Sequence, residues 1–443
     1  MSARSNRWTR FFGTLGTWAV VLLALVVLAV LPVGALAGVA ILLAVWLFAT
    51  RTGRQAWSAT QVGIATIPQR LGSSSVIVVG IAGVVGVLVA LLAMAAGFAE
   101  TLKQGGGDDT AIVLRGGAQT ELNSVISHET VTLVAQQPQV RRGASGEPIA
   151  SGELVVVAAL PKRSTGLDAN VEVRGVGERA WELRPNLRII AGRKFTPGLR
   201  ELIVGKRARE QFAGVDVGST LKLNGQPWQV VGEFESNDAN DSDLWGDAGV
   251  VGPTYRRGTS STSVTVRLTN AAAFDAFKAA LATDPRLQVD VKTTREYYTE
   301  QSANLTRLIT ALGNAIGLIM GIGAVFGALN SMYAAVATRT REIATLRALG
   351  FRGAPVVVSV MLETMLLALL GGMLGAAIAW LLFDHYTAST LGSNFTQIVF
   401  AFRVTPELLW RGLKWALAMG LLGGLFPALR AARMSVTDGL REL

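Results

Sequence analysis

The chain has 443 residues, 50% hydrophobic and only 16% charged, with a net charge of +10 and no cysteine. Soluble proteins carry about 25% charged residues, so the composition excludes an ordinary soluble enzyme, and the missing cysteines exclude a disulfide framework or a thiolate metal site. The positive balance fits Lys and Arg held on the cytoplasmic side of a membrane better than nucleic-acid binding, since no basic run is long enough to track a phosphate backbone.

From Phe11 to Thr50 no residue is charged. One helical crossing needs about 20 apolar residues, so this run predicts a hairpin of two crossings turning at Leu31-Pro32-Val33-Gly34. Arg4, Arg7 and Arg10 before it and Arg51 and Arg54 after it place both ends on the positive side. The run is also longer than the ~7–15-residue core of a cleaved signal peptide. Residues 51–71 carry arginines and Trp57 but no acid, which predicts a segment lying at the cytoplasmic surface. Ser74–Phe98 is the next crossing, followed by Glu100, Lys103 and a flexible Gly105-Gly106-Gly107.

Composition then changes as far as about Gln301. Short β-like runs are predicted at Ala111–Leu114, Leu154–Leu160, Val171–Val176, Glu201–Val204, Trp228–Val231 and Ser263–Leu268. Helical patterns intervene at His128–Gln136, capped by Ser127, and at Ala271–Leu281. Three more crossings follow at Leu308–Val336, Pro355–Phe383 and Leu408–Leu429, with Asp384–Glu407 as a short outer loop. Arg430 and Arg433 close the last helix on the inner side, while Arg411 and Lys414 snorkel at its outer end. The chain therefore reads as a polytopic α-helical membrane protein with about six crossings, both termini inside, and a large extracytoplasmic α+β domain. The boundaries are 1–50 for the hairpin, 51–98 for the interfacial segment and first single crossing, 99–303 for the α+β domain and 304–443 for a three-helix domain.

No catalytic or metal-binding set is predicted. A phosphate loop G-x-x-x-x-G-K-[ST] is missing; its nearest approach, Val204-Gly205-Lys206-Arg207, reads as a strand ending in a turn. The only histidines are His128 and His385, too few and too separate for a triad or a zinc site. The acids Glu233, Glu235, Asp238, Asp241, Asp243 and Asp247 have some calcium-loop spacing, but Asp243 stands where the sharp turn wants glycine, so a solvated loop is predicted. Glu363 lies inside a crossing, where charge is expensive; pairing with cytoplasmic arginines is the expectation over an ion relay. Gly313, Gly317 and Gly321 recur every four residues, with Gly323 and Gly327 on an offset stripe. Such stripes let helices approach closely, either within the chain or against a second copy.

The basic island 338–350, T-R-T-R-E-I-A-T-L-R-A-L-G, lies between two apolar runs. Ile343, Leu346 and Leu349 fall on one helical face, and Arg339, Arg341, Glu342 and Arg347 take the rest. Arg339 and Glu342 are spaced to pair. The arginines alone would hold the loop inside, but topology needs no Ile/Leu stripe. The stripe suits a partner groove or the lipid surface.

These residues resemble the ABC-transporter permease family that includes FtsX, the lipoprotein-releasing permeases and MacB. The matching stretches are Thr340-Arg341-Glu342-Ile343, Arg347-Ala348-Leu349-Gly350, Leu362-Glu363, Leu370-Gly371-Gly372-Met373-Leu374-Gly375, Gly424-Leu425-Phe426-Pro427-Ala428, Arg430-Ala431-Ala432-Arg433 and Leu440-Arg441-Glu442-Leu443. In the outer domain, Ala191–Gly198 and Gly205 resemble the MacB-like members. The resemblance implies a bacterial inner-membrane protein with a periplasmic MacB-like domain and an FtsX-like C-terminal domain. It also implies a separate ABC ATPase that binds ATP and Mg, a second permease copy, a periplasmic adaptor, and no cofactor or nucleic acid in this chain. Arg341, Glu342, Ile343, Arg347 and Leu349 would be the coupling set, with Arg339 and Leu346 beside them. Thr338 departs from the acid often found before the first arginine, and the N-terminal hairpin has no counterpart in the four-crossing plan. Efflux is the leading function; lipoprotein extraction, control of a wall hydrolase and a ligand sensor are the alternatives.

Overall fold

The computed structural model describes residues 32–392 and 394–434. The chain divides into two compact units. One takes the chain up to Ala93, Ile309–Asp384 and Arg403 onward; the other takes Met94–Leu308 and His385–Phe402.

In the first unit the initial arm of the expected hairpin, residues 11–31, lies outside the described residues. Its second arm is α1 (Val33–Ala49), which turns by 99° into α2 (Arg51–Ala65). Thr50 sits at the corner and caps α2 by accepting a hydrogen bond from Gly53 N at 2.9 Å. The helix α2 buries a stripe of small residues, Gly53, Ala56, Ala59, Thr60 and Gly63, and packs on a later helix through it. Close approach needs small side chains, and this stripe supplies them. Next comes α3 (Leu71–Gln104).

Four described helices are long and apolar enough to cross a membrane, or five spans if the bent α1/α2 pair counts as one. About six crossings were expected from hydropathy. The difference lies in the hairpin: its first arm falls outside the described residues, and its second, the 17-residue α1, counts as a span only together with α2.

The second unit is an α/β domain. Its strands are β1 (Thr110–Arg115), β2 (Ala150–Pro161), β3 (Asp168–Val176), β4 (Arg188–Gly192), β5 (Glu201–Gly205), β6 (Thr220–Leu223), β7 (Gln226–Glu235), β8 (Leu244–Asp247), β9 (Ser263–Arg267) and β10 (Val289–Thr293). They form one sheet in the order β10-β1-β9-β2-β3-β8-β5-β7-β4, with β6 on β7. The long strand β2 joins two halves: Ala150–Glu153 pair with β9, and Leu154–Pro161 pair with β3. Each half has its own apolar core. One gathers Val113, Val264, Val266 and Val291 under α4 (His128–Ala135) and α5 (Phe274–Thr283). The other gathers Val171, Leu202, Phe212, Trp228 and Leu244. Ser127 caps α4 as expected, accepting from Thr130 N.

A buried ionic network occupies the junction of the halves. Arg174 on β3 holds Glu121 at 2.9 Å, Glu153 at 2.9 Å and Glu172 at 2.6 Å, and Arg184 grips Glu153 at 2.6 Å. The acid run 233–247 belongs to this interior rather than to a solvated loop, which corrects the sequence expectation. Glu233, Asp238, Asp241 and Asp243 are buried. Asp241 accepts from Ser236 N and Asn237 N, so carboxylates replace a backbone ladder at that turn. No group of three or more potential metal ligands occurs among the described residues.

Two other expectations are corrected here. Gly105-Gly106-Gly107 is packed, not slack: a Cβ on Gly106 would meet the Arg295 backbone at 2.6 Å, and Gly107 N donates to Thr294 Oγ1 at 2.8 Å. The loop 384–407 contains a hairpin, β11 (Thr387–Leu391) and β12 (Gln397–Ala401), that belongs to the α/β unit. Val399 N donates to Ser242 Oγ at 3.0 Å, Arg207 donates to Val399 O at 2.6 Å, and Phe400 meets Phe98 edge-on at 5.5 Å.

After β10 the chain enters α6 (Thr294–Thr338), one continuous helix of 45 residues. At ~1.5 Å per residue it is roughly 68 Å long, about twice the ~30 Å hydrocarbon thickness. It is followed by α7 (Thr340–Ala348), α8 (Gly353–Phe383) and α9 (Pro406–Arg433). Thr405 caps α9 by accepting from Leu408 N at 3.4 Å.

Candidate functional site

The basic island folds as α7, separated from α6 by the single non-helical residue Arg339. Its end is a Schellman turn: Phe351 N donates to Leu346 O at 3.1 Å and Gly350 N to Arg347 O at 3.1 Å. The turn needs a left-handed residue, and Gly350 supplies it with φ +95°. Both boundaries are thus set locally, by a break at an arginine and a stop at a glycine.

Arg339 does more than end α6. Its Nε donates to Glu342 Oε2 at 3.0 Å, and its Nη1 donates to Glu363 Oε2 at 3.1 Å. Glu363 lies on α8 and is 1% exposed. Its other oxygen, Oε1, takes Arg70, which stands at the corner between α2 and α3. Arg70 also donates to Thr66 Oγ1 at 3.3 Å and to Gly63 O at 3.4 Å. A Cβ on Gly63 would sit 2.9 Å from Glu363 Oε2, so glycine lets α2 close over the carboxylate. An isolated buried ion costs several kcal/mol in lost solvation; two arginines and two glutamates balance that here. One carboxylate within α8 therefore ties two breaks in the helical path, the α2/α3 corner and the α6/α7 joint.

The apolar stripe of α7 is divided. Ile343 is buried with Ala344, Leu346 is half-buried, and Leu349 is 73% exposed. Arg341 is exposed, Glu342 is exposed and paired with Arg339, and Arg347 donates to Met434 O. Ile343 thus belongs to the chain's own core, and only Leu349 with Arg341 extends fully outward. Gly313 and Gly317 face Leu91 and Leu88 of α3 at 3.2 and 3.1 Å from their would-be Cβ atoms, and Gly321 faces Trp415 and Met419 of α9. The offset glycines Gly323 and Gly327 have nothing within 4 Å.

Sequence reasoning expected Glu363 to find arginines but did not identify Arg70. The signal was available: Arg70 is the sole charge between Arg54 and Glu100, and Glu363 the sole charge between Arg352 and Asp384. Lone opposite charges in two apolar runs satisfy one another most cheaply.

The chain matches the MacB-like periplasmic core domain over residues 73–284 and the FtsX-like permease C-terminal domain over 314–436. It is 27% identical over 300 residues to the macrolide export ATP-binding/permease protein MacB 1 of Aeromonas hydrophila, an alignment covering 61% of this chain and 43% of that protein. The chain thus spans less than half of that relative's length. To the uncharacterized ABC transporter permease YvrN of Bacillus subtilis it is 24% identical over 409 residues, covering 82% of this chain and 93% of the relative. The solved periplasmic region of MacB from Actinobacillus actinomycetemcomitans aligns with 43% of this chain and 92% of its own, at 16% identity and a TM-score of 0.33. Apolar helices joined to a periplasmic-type domain make this a membrane protein with an extracytoplasmic domain. With a MacB-like periplasmic core domain followed by an FtsX-like permease C-terminal domain, the chain belongs to the FtsX/MacB family of ABC transporter permeases.

Proposed function

We propose that this chain is the membrane-spanning permease subunit of an ABC exporter, converting ATP hydrolysis by a separate ATPase subunit into motion of its extracytoplasmic domain. In this reading it lies in the bacterial inner membrane with about six crossings, both ends and α7 cytoplasmic, and the α/β domain periplasmic. The observation that carries the proposal is the clamp at Arg339. A basic helix too short to be stable alone is fixed by Glu363 to α8 and to the α2/α3 corner, and is adjoined by the 45-residue α6. A force applied to α7 therefore enters the helices that Arg339 and Arg70 hold to Glu363. The exposed Leu349 and Arg341 form the surface offered to the ATPase. A second permease copy and a periplasmic adaptor complete the assembly. The open Gly323/Gly327 stripe suits the second copy, since Gly313, Gly317 and Gly321 are filled from within the chain.

The test is co-purification with the cognate ATPase. The double variant Arg341→Glu/Leu349→Asp should insert normally yet bind the ATPase at least about tenfold more weakly, or ~1.4 kcal/mol. Unchanged affinity in an inserted, folded variant would refute the docking surface.

A further inference from the structure

The ionic network in the α/β domain is unbalanced. Glu121, Glu153, Glu172 and Asp243 surround Arg174, and Arg184 is the second cation. Four carboxylates less two guanidiniums leave two negative charges in excess if every group is ionised. All six side chains are nearly buried, and an uncompensated buried charge costs several kcal/mol. The excess must be removed by protons or by a counter-ion, and no metal-holding group of acids is formed among the described residues.

The geometry indicates which carboxylates take the protons. A cavity of about 50 Å³ is walled by Glu121, Glu172, Arg174 and Asp243 and closed by Asn394 and Thr396 at the tip of the β11–β12 hairpin. Asn394 Nδ2 donates to Glu172 Oε2 at 3.1 Å and its Oδ1 is buried without a partner, so the amide turned over accepts the proton of a neutral Glu172 at the same distance. Arg174 Nε, on a side chain 4% exposed, has no hydrogen-bond partner and lies 3.8 Å from Asp243 Oδ2 at the cavity wall. Glu153 is held differently, by two-point contact with Arg184 and one contact with Arg174. Against the effect of burial, those guanidiniums hold its carboxyl below the usual range. Burial raises Glu172, and burial followed by the neighbouring Glu172 charge raises Asp243 well above its ordinary value. Asp238, Tyr297 and Tyr298 also face the pair, and burial pushes both phenols up, so they add no charge. From the hairpin come Asn394, Thr396 and Ile398, none of them charged.

We propose that Glu172 and Asp243 form a proton-binding site that latches the β11–β12 hairpin onto the α/β domain, docked when the pair is protonated and loosened when it is ionised. The hairpin is the lid whose departure would hydrate the two acids. Both carboxyls are raised in the docked state, so the latch is fully engaged below the ordinary carboxyl range, about pH 4. Its contribution is lost as pH rises through the docked-state values.

Because the chain has no cysteine, two can be introduced without background. Leu167→Cys and Leu391→Cys lie at positions 71% and 52% exposed, on the β2–β3 turn and on the hairpin. Spin labels there report their separation in the full chain in lipid nanodiscs between pH 5 and pH 9. One narrow distance distribution is expected at pH 5, broadening by pH 9. Adding Glu172→Gln and Asp243→Asn together should keep it narrow throughout, and either substitution alone should move the transition. A wild-type distribution that ignores pH, a doubly neutral variant that still follows pH, or a distribution that follows added calcium or EDTA at fixed pH would each overturn the latch. The measurement needs no ATPase, so its failure leaves the coupling proposal standing.

Discussion

Arg339 and Glu363 meet at 3.1 Å across 24 residues of sequence, and both are largely withdrawn from solvent. Arg70 occupies the other oxygen of the same carboxylate. Removing the anion leaves two guanidiniums facing each other with only the half-exposed Glu342 to offset them, so Glu363→Gln should destabilise the protein by about 3–5 kcal/mol. Thermal unfolding in detergent reads this directly, and adding Arg70→Gln should restore part of the loss. Glu342 is half-exposed and pairs with the same arginine from outside; Glu342→Gln should cost under about 1 kcal/mol. Equal losses for the two glutamates would mean that burial does not set the strength of the clamp.

The glycines of the membrane unit separate into filled and open positions. A Cβ on Gly375 would fall on Ala82 O of α3, backbone that has no rotamer to escape into. Gly375→Ala should therefore push α8 off α3 and cost about 1–3 kcal/mol. Gly323 has nothing within 4 Å, so Gly323→Ala should be neutral or gain up to about 1 kcal/mol of helix propensity. Melting curves of the two variants check both; a stable Gly375→Ala protein would show that the helices have room to spare.

The legible parts of this chain are those whose signal is local. Apolar length marked α3, α6, α8 and α9, and β-branched runs marked β1, β2, β3, β5, β7 and β9. Strand β8 was hidden because Leu244–Asp247 is embedded among acids, which read as solvated; its pairing with β3 and β5 and the guanidinium of Arg174 make those acids tolerable inside. The hairpin 387–401 was hidden for a similar reason. Its partners Ser242 and Arg207 lie far back in sequence. At the site, the Arg339–Glu342 spacing was legible on one helix, whereas Arg70 is 293 residues from Glu363. Ile343 looked available to a partner because periodicity marks an apolar face without saying what covers it.

Gly97 of α3 shows how closely the hairpin is held. A Cβ there would fall on Ala401 O, the last residue of β12. Gly97→Ala should lift β12 and accelerate amide exchange in the peptide spanning 397–401, while Gly80→Ala, with nothing within 4 Å, should leave it unchanged. Equal protection in both variants would contradict the contact.

The loop 193–200 has a charge-based fastening that predicts acid sensitivity. Arg193 donates to both oxygens of Glu201, at 2.6 and 2.7 Å, and Thr196 N adds a third bond at 2.8 Å, so one carboxylate at the start of β5 closes the loop on itself. The Arg193 guanidinium, helped by the Thr196 amide, holds Glu201 down to about 2. The folded value is depressed, so this contribution is present above the unfolded value of about 4.3 and is lost as pH falls from there toward 2. Arg193→Gln removes the main cause of the depression, so it should lower stability modestly at pH 7, the pair being screened through the exposed Arg193, and shift the acid-unfolding midpoint of the domain to higher pH, the difference from wild type vanishing as pH falls toward 2. Tryptophan fluorescence is a suitable reporter, since Trp245 and Trp228 are fully buried in the same sheet. An unshifted acid midpoint in Arg193→Gln would show that the backbone bond from Thr196 alone holds Glu201 ionised.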